Sequence, residues 1–311
     1  MKPVLSLARR LPGLDMGALA EAFELREPAP GGGRAALLAL LGDARVVILS
    51  YLDRVDQAFL DAAPRLRHVA SYGVGVNHID VAACHRRGVL VTNTPGVLTD
   101  ATADHAMALL LAAARRVSEG DRVVRAGAWT RVDPAFLLGT HVTGKVLGLV
   151  GFGRIGQAVA RRAAGFELRI LYAGPREVEL AGARRVPLEV LLAESDFVSL
   201  HVPLTAATEN LLSRERIALM RRGAVLVNTA RGEVVDDEAL ADALEAGRIA
   251  AAGLDVFRDE PNVPARFLRL PNVVLTPHLG SGSAETRAAM ARLVVEDVLR
   301  VARGEPPQHP V

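Results

Sequence analysis

The chain has few of the residues that mark secreted, membrane-spanning or aromatic-rich proteins. Cys84 is the single cysteine among 311 residues, so an internal disulfide is impossible and a reducing cytoplasm is expected. Aromatic residues form 4% of the chain, and its one tryptophan, Trp129, is assigned no chemistry, because a lone tryptophan more often packs than recognises a ligand. The longest apolar run, residues 106–114, is too short to cross a bilayer and predicts a buried helix. The first ten residues contain too little apolar sequence to form a secretory signal.

No charge of one sign dominates the chain. Its 37 basic and 35 acidic residues are mixed along its length, without the basic block that a nucleic acid or an anionic membrane surface would require. The 8 histidines show neither the H-x-H nor the H-x-x-x-H spacing typical of metal sites. We therefore expect a small-molecule ligand and no nucleic-acid, membrane or metal partner.

A glycine-rich turn stands in the middle of the chain, where the apolar run of residues 146–150 leads into the sequence GFGRIG. Gly151 allows the turn, Gly153 lets backbone N–H groups approach a pyrophosphate, and Gly156 lets the next helix pack close to the strand. The N-terminus of that helix adds partial positive charge for the same anion. This context favours dinucleotide binding over the alternative, a plain glycine-rich turn.

Short apolar runs alternate with helix-compatible stretches on both sides of this turn, which predicts an α/β architecture. Besides the run before the turn, strands are predicted at residues 45–50, 66–70, 89–92, 169–172, 197–202, 224–228, 249–255 and 273–276. Helices are predicted at residues 100–117 and 283–303. We expect two doubly wound parallel-sheet domains, Rossmann or flavodoxin-like, with a cleft between them. Residues 1–98 plus 283–311 would form the substrate domain, and residues 99–282 the dinucleotide-binding domain.

The choice of dinucleotide depends on the end of the strand that follows the glycines. A NAD-binding unit places an acidic residue there, about 20 residues on, to bind the ribose hydroxyls. This chain has Ala173 at that position, followed closely by Arg176. Without a carboxylate a 2′-phosphate is not repelled, and a guanidinium can pair with it. NADP(H) is therefore favoured; the alternative is a solvated Arg176 and use of NAD(H) as well.

Three polar residues follow predicted strands of the second domain: Arg231, Glu260 and His278. An arginine fork can hold the carboxylate of a 2-oxo acid and polarise its carbonyl group. A histidine can deliver a proton as hydride arrives, and a neighbouring carboxylate orients the ring and favours its protonated form. Singly, each residue is more often structural, but together they predict an acid–base site.

At this point the chain resembles the D-isomer-specific 2-hydroxyacid dehydrogenase family over nearly its whole length. The matching motifs are VGVNHID at residues 74–80, GFGRIG at 151–156, HVPLT at 201–205, NTARG at 228–232, AGLDVF at 252–257 and TPH at 276–278. Within the family it looks most like the glyoxylate/hydroxypyruvate reductases, through VLTD at 97–100, GAWT at 127–130 and LYAG at 171–174.

The resemblance implies roles for individual residues. Arg231, Glu260 and His278 would be catalytic, and Val74 and Gly75 would bind the substrate carboxylate together with Arg231 and His278. The cofactor-binding positions would be Thr102, Gly151, Gly153, Arg154, Ile155, Gly156, Pro175, Arg176, Val202, Pro203, Thr208, Thr229, Asp255 and Gly280. Family members are usually homodimers built through the cofactor domain, so a homodimer is expected.

The expected activity is NAD(P)H-dependent reduction of glyoxylate or hydroxypyruvate to the D-2-hydroxy acid, with His278 as general acid. Other enzymes of the family remain alternatives. Hydroxyphenylpyruvate reductase fits because no motif fixes the pocket for the substrate side chain. Phosphoglycerate dehydrogenase and formate dehydrogenase fit less well, because their usual C-terminal and N-terminal extensions are missing. From another class, an NAD(H)-sensing corepressor would share the scaffold and the catalytic residues, but this chain has no disordered interaction tail.

Overall fold

The computed structural model describes residues 2–311, which divide into two compact units. The first unit contains the chain up to Leu98 together with Gly282–Val311, and the second contains Thr99–Ser281. Each unit has a parallel sheet with helices on its faces, so the predicted α/β class with two parallel-sheet units is confirmed. No helix within residues 2–311 is long and apolar enough to cross a membrane.

Both units are built from strands and helices that alternate along the chain. The strands are β1 (Val4–Leu7), β2 (Glu24–Arg26), β3 (Ala44–Leu49), β4 (His68–Ser71), β5 (Leu90–Thr92), β6 (Val146–Val150), β7 (Arg169–Ala173), β8 (Ala183–Arg185), β9 (Phe197–Leu200), β10 (Ala224–Asn228), β11 (Ile249–Leu254) and β12 (Val273–Leu275). The helices are α1 (Met16–Ala22), α2 (Gly33–Ala39), α3 (Gln57–Ala62), α4 (Val81–Arg86), α5 (Thr99–Ala114), α6 (Val117–Arg125), α7 (Arg154–Ala163), α8 (Leu188–Glu194), α9 (Arg214–Leu219), α10 (Asp237–Glu245), α11 (Ala265–Arg269) and α12 (Ala284–Ala302).

The first unit has five parallel strands in the order β2-β1-β3-β4-β5. Aspartates cap α1, α3 and α4: the side chains of Asp15, Asp56 and Asp80 each accept a hydrogen bond from the backbone N–H three residues on. The last helix, α12, packs against α1 and β4 of this unit. Beyond it, the chain end lies antiparallel to β5 through a bridge between Thr92 and Pro310, which covers the open edge of the sheet.

The second unit has seven parallel strands in the order β12-β11-β10-β9-β6-β7-β8. The strands β7 and β8 lie on one side of β6, and the strands β9 to β12 lie on the other. The strand order therefore reverses at the β6–β9 pair. In such sheets the crevice outside the carboxyl ends of the strands at this reversal is where ligands bind. The glycine-rich turn follows β6 and therefore lies at this point.

The helix predicted at residues 100–117 is shorter in the structure. It ends at Ala114, and Arg116 has the left-handed φ of 53°, so α6 begins separately at Val117. The backbone N–H of Thr140 donates to the carbonyl of Ala114 at 2.7 Å. This carbonyl would accept from the next turn of the helix if α5 continued, but a residue of a later loop already occupies it. A long-range contact of this kind ends the helix, although the local sequence favours its continuation.

Candidate active site

The backbone of the glycine-rich turn requires glycine at two of its three glycine positions, Gly151 and Gly156. Gly151 has a φ of 93°, and a Cβ added there would lie 2.5 Å from the carbonyl oxygen of His201. A Cβ on Gly156 would lie 2.4 Å from the carbonyl oxygen of Gly151, so only glycine allows α7 to approach β6 this closely. Gly153, the N-cap of α7, has open space on its Cβ side.

The first turn of α7 suits an anion. No side chain caps the helix, and its first turn, which contains Arg154 and Ile155, has no acidic residue. The N–H groups at the start of this ten-residue helix can therefore hold the pyrophosphate of a dinucleotide. This geometry fits the cofactor that the sequence predicts.

The end of β7 lies beside this turn. The carbonyl of Ala173 accepts a hydrogen bond of 2.9 Å from the N–H of Gly151, and Pro175 and Arg176 follow on the surface. The structure also brings Arg185 here: its guanidinium donates to the carbonyl oxygen of Gly174. Nothing in the spacing of the sequence singles out Arg185, which comes from the next strand.

The loop after β9 forms another side of the same region. Val202 lies against the glycine turn, because a Cβ on Gly151 would be 2.9 Å from its Cγ1 atom. Thr208 stabilises the loop: its hydroxyl donates to the carbonyl of Pro203 at 2.6 Å and accepts from the N–H of Thr205 at 2.8 Å. Val202, Pro203 and Thr208 thus form one loop next to the turn.

His278 and Glu260 form a direct pair. Nδ1 of His278 lies 2.8 Å from Oε2 of Glu260, and each side chain is 19% exposed. Oε1 of Glu260 accepts from the N–H of Phe257 at 3.0 Å, which fixes the carboxylate. An ionised carboxylate can only accept, so Nδ1 carries the proton and donates it to this bond. Nε2 of His278 is then the ring nitrogen through which acid–base chemistry can occur.

Asp255 holds the loop that carries His278. Its carboxylate accepts hydrogen bonds from the Thr276 hydroxyl at 2.6 Å and from the N–H groups of Leu279 and Gly280 at 2.7 and 2.8 Å. His105 of α5 donates to the same carboxylate at 3.1 Å. Burial raises the pKa of Asp255, but the hydrogen bonds from His105, Thr276 and Leu279 outweigh it and leave the pKa below its usual value. These bonds support His278 at an unfavourable left-handed φ of 54°.

Three of the predicted cofactor-binding residues, Thr102, Asp255 and Gly280, lie together at this loop. Gly280 donates to Asp255, and a Cβ on Gly280 would lie 3.4 Å from Cγ2 of Thr102. Thr229 follows β10, and its buried hydroxyl oxygen has no hydrogen-bond partner within residues 2–311. A buried hydroxyl in that condition fits a site where a cofactor supplies the partner.

Arg231 lies in the turn after β10. The side-chain amide of Asn228 donates to the carbonyl of Arg231 at 2.8 Å, and the next residue, Gly232, packs on the backbone that leads to Glu260. A Cβ on Gly232 would be 2.1 Å from the carbonyl carbon of Phe257, so the turn of Arg231 and the segment of Glu260 fit only with glycine between them. β10, β11 and β12 are neighbours in the sheet, which places Arg231, Glu260 and His278 after three adjacent strands.

Val74 and Gly75 belong to the first unit, in the loop after β4. The side chain of Asn93 donates to the carbonyl of Val74 at 2.8 Å, and the N–H of Thr94 donates to the carbonyl of Gly73 at 3.0 Å. The loop is therefore attached to the segment after the neighbouring strand β5.

Residues 2–311 contain no cluster of three or more His, Cys, Asp or Glu side chains placed to hold a metal ion.

Comparison with known proteins gives this arrangement a family. The model of the D-isomer specific 2-hydroxyacid dehydrogenase NAD binding domain matches residues 107–280, which contain the glycine turn, Arg231, Glu260 and His278. The chain belongs to this family. The glyoxylate reductase of Pyrococcus furiosus is 49% identical over 99% of this chain and 94% of its own length. The glyoxylate reductase of Thermococcus litoralis is 45% identical over 99% and 96%.

Solved structures agree with this assignment. A protein of Thermus thermophilus superposes with a TM-score of 0.91 at 46% identity, covering 99% of both chains. The NADPH-dependent glyoxylate/hydroxypyruvate reductase of Sinorhizobium meliloti, solved with NADP and malonate, has a TM-score of 0.91 at 36% identity and covers 100% of this chain and 97% of its own. The expected family and the likeness to glyoxylate/hydroxypyruvate reductases are confirmed.

Proposed function

We propose that this dehydrogenase reduces glyoxylate or hydroxypyruvate with NADPH, giving the corresponding D-2-hydroxy acid and NADP⁺. The observation that carries the proposal is the 2.8 Å bond between Nδ1 of His278 and Oε2 of Glu260, in a unit that also holds a dinucleotide turn. The high identity to glyoxylate reductases over the full chain supports the choice of substrate.

His278 supplies the proton in this mechanism. A dinucleotide held by the residues named below would supply the hydride for the carbonyl carbon of the 2-oxo acid. As negative charge develops on the carbonyl oxygen, Nε2 of His278 donates a proton to it. Glu260 accepts from Nδ1 throughout and holds the ring in one orientation during the transfer. The reaction therefore consumes one proton for each hydride, and the reverse reaction returns the proton to His278.

Arg231 binds the substrate carboxylate in the proposal. Its planar guanidinium can donate two parallel hydrogen bonds to the two carboxylate oxygens, which fixes the direction of the neighbouring carbonyl group. Nη1 of Arg231 donates to the carbonyl of Ala230 at 2.6 Å, which limits the movement of the side chain. Val74 and Gly75, in the loop after β4, are also proposed as substrate-binding residues.

The cofactor residues divide between the two ends of the dinucleotide. The N-terminus of α7, with Gly151, Gly153, Arg154, Ile155 and Gly156, would hold the pyrophosphate, and Val202, Pro203 and Thr208 the adenosine side. Thr102, Thr229, Asp255 and Gly280 would surround the nicotinamide. Ala173 in place of an acid and Arg176 after it favour NADP(H), and NAD(H) is the alternative.

We further propose a homodimer formed through α6 and the segment that follows it. None of the residues of α6 is buried, and this region carries a series of exposed apolar side chains: Val117, Val124, Trp129, Val132, Phe136 and Leu138. Apolar side chains concentrated in one exposed segment are typical of an interface rather than of a monomer surface. Cys84 is free and buried, which agrees with an enzyme of the reducing cytoplasm.

The proposal is tested by following the absorbance of the reduced nicotinamide with glyoxylate, hydroxypyruvate and phenylpyruvate, each with NADPH and with NADH. We expect the highest kcat/KM for the two small acids with NADPH. A preference for phenylpyruvate would instead identify a hydroxyphenylpyruvate reductase. Tight dinucleotide binding without turnover of any of the three acids would indicate a sensor.

A further inference from the structure

We propose that Arg185 of β8, together with Arg176, binds the 2′-phosphate of NADP(H) and so determines the choice of cofactor. The inference rests on the proposed preference for NADP(H). It adds a residue of β8. This strand lies outside the glycine-rich turn and outside β7, where the motifs that predict the cofactor lie. The observation behind it is the position of the Arg185 guanidinium on the backbone just after β7.

The guanidinium is fixed by two carbonyl groups. Nε and Nη2 of Arg185 donate to the carbonyl oxygen of Gly174 at 3.1 and 2.9 Å, and Nη2 also contacts the carbonyl oxygen of Pro175 at 3.2 Å. Nη1 has no hydrogen-bond partner within residues 2–311, and the side chain is exposed. One edge of the fork is thus held by the protein, while the other is available to a ligand. A side chain ordered in advance loses less entropy when it binds.

The sheet register explains why the side chain reaches this point. β7 and β8 are parallel neighbours, with Tyr172 opposite Arg185, so β8 ends one residue before β7 does. Ala173 is bonded to Gly151 of the glycine turn, and a Cβ on Gly174 would lie 3.7 Å from the backbone nitrogen of Phe152 in that turn. In a Rossmann unit the ribose 2′ position lies at this strand end, where the acidic residue of NAD-binding proteins binds it. The guanidinium of Arg185 is hydrogen-bonded to the carbonyl of Gly174, the residue that follows this strand end.

Within residues 2–311, two unpaired arginines and two glutamates surround this point, so a phosphate would be bound by directed hydrogen bonds from the guanidinium groups rather than by net charge. A phosphate monoester carries a charge of about −1.5 to −2 at neutral pH and three acceptor oxygens. Arg176 forms no hydrogen bond or ion pair within residues 2–311, so its guanidinium is available as well. Glu177 and Glu179 line a cavity of about 550 Å³ together with Arg185 and oppose an anion there. Arg184 also lines it, but its guanidinium is paired with Glu194 at 3.2 Å.

A purely structural role for Arg185 predicts a different result from the same experiment. If the side chain only holds the backbone at residues 174–175, its loss disturbs the ribose site for NADPH and NADH alike. If it binds the 2′-phosphate, its loss affects NADPH alone, because NADH has a hydroxyl group there. The ratio of the two dissociation constants therefore separates the two roles.

The experiment measures the binding of NADPH and NADH by isothermal titration calorimetry, without substrate, for the wild type, Arg185→Gln, Arg185→Lys and Arg176→Gln. Arg184→Gln is the matched control, since Arg184 is the adjacent exposed arginine of the same strand. We expect Arg185→Gln to weaken NADPH binding about 10- to 100-fold, the usual loss for a charge-assisted hydrogen bond, and NADH binding by less than about twofold. Arg185→Lys should lose part of that affinity, and Arg184→Gln should bind both dinucleotides like the wild type.

The outcomes also separate this inference from the proposed function. If the wild type prefers NADPH and Arg176→Gln loses that preference while Arg185→Gln keeps it, the proposed cofactor stands and the role of Arg185 is wrong. Equal losses for both dinucleotides in Arg185→Gln overturn it too and indicate a structural role. A wild type that binds NADH as tightly as NADPH, or binds neither, contradicts the preference and the inference together.

Discussion

Nδ1 of His278 lies 2.8 Å from Oε2 of Glu260, although the two residues follow different strands of the sheet. The other carboxylate oxygen of Glu260 is bound by the backbone N–H of Phe257. The pair therefore has one defined orientation, in which the opposite ring nitrogen of His278 is the proposed proton donor.

Substitution of Glu260 tests whether its charge contributes to catalysis. Glu260→Gln keeps an oxygen that can accept from Nδ1, but it removes the negative charge beside the ring and presents to the N–H of Phe257 an amide group that cannot accept. We expect kcat for 2-oxo acid reduction to fall about 10- to 100-fold, with KM changed by less than about twofold. Asp259→Asn, one residue away in the same turn, is the control and should keep the wild-type kcat. A wild-type kcat for Glu260→Gln would show that the pair has no catalytic role.

Arg231→Lys tests the shape of the carboxylate-binding group at constant charge. An ammonium group cannot reproduce the two parallel bonds of a guanidinium, so the substrate loses both affinity and orientation. We expect kcat/KM to fall about 100-fold or more, with KM raised. Because Arg231 is proposed to bind the substrate and not the dinucleotide, dissociation constants for NADPH should stay unchanged. Steady-state kinetics with glyoxylate that match those of the wild type would remove Arg231 from the substrate site.

Two histidines with lowered pKa values predict a loss of stability in mild acid. Burial lowers the pKa of His201 to about 4, compared with about 6.5 in an unfolded chain. The unfolded chain therefore binds more protons between these values, and the folded state loses stability as pH falls from 6.5 towards 4. At 1.36 kcal/mol for each pH unit, the loss from this group alone approaches roughly 3 kcal/mol at pH 4.

Urea unfolding of His201→Gln at several pH values between 7 and 4.5 checks this prediction. We expect the free energy of unfolding of the variant to fall less steeply with decreasing pH than that of the wild type, even if the variant is less stable at pH 7. His141→Gln is the control, because His141 is exposed. Parallel pH curves for the wild type and His201→Gln would mean that His201 does not carry this dependence. His68, whose pKa burial also lowers to about 4, should contribute in the same direction.

The exposed apolar side chains of α6 and the segment that follows it predict that a charged residue placed there disrupts the proposed homodimer. Val132 and Leu138 are 85% and 69% exposed in a single chain. An aspartate at either position would place an unpaired charge in the proposed interface, which is costly when water is excluded. We expect Leu138→Asp to behave as a folded monomer of 33.0 kDa in analytical ultracentrifugation. The wild type and Leu219→Asp, altered at an exposed leucine on α9, should remain dimers; a dimeric Leu138→Asp would contradict this interface.

The sequence predicts those parts of the site that depend on local patterns. The glycine turn could be predicted because three glycines, a preceding apolar strand and a following helix are adjacent in sequence, and the backbone requires glycine at Gly151 and Gly156. Arg231 and His278 could be placed because they directly follow apolar runs that form β10 and β12.

The features that the sequence does not predict depend on contacts between segments that are distant in sequence. β8 has three residues, two of them exposed arginines, so no apolar pattern marks it, and Arg185 could not be placed near β7 without the pairing of those strands. His105 and Asp255 are 150 residues apart, and only the packing of α5 on β11 brings them together. The end of α5 at Ala114 likewise depends on Thr140, which no helix-propensity pattern includes.

The measurement that tests the central claim most directly is the rate of NADPH oxidation with glyoxylate by the wild type and by His278→Ala, over the whole pH range in which both are folded. We expect wild-type turnover to exceed that of the variant by about 10²–10⁴-fold, the usual contribution of a general acid. NADPH binding, measured separately, should be retained in the variant and will show that its cofactor site is intact. Equal turnover by the two proteins at every pH would contradict the assignment of His278 as the proton donor.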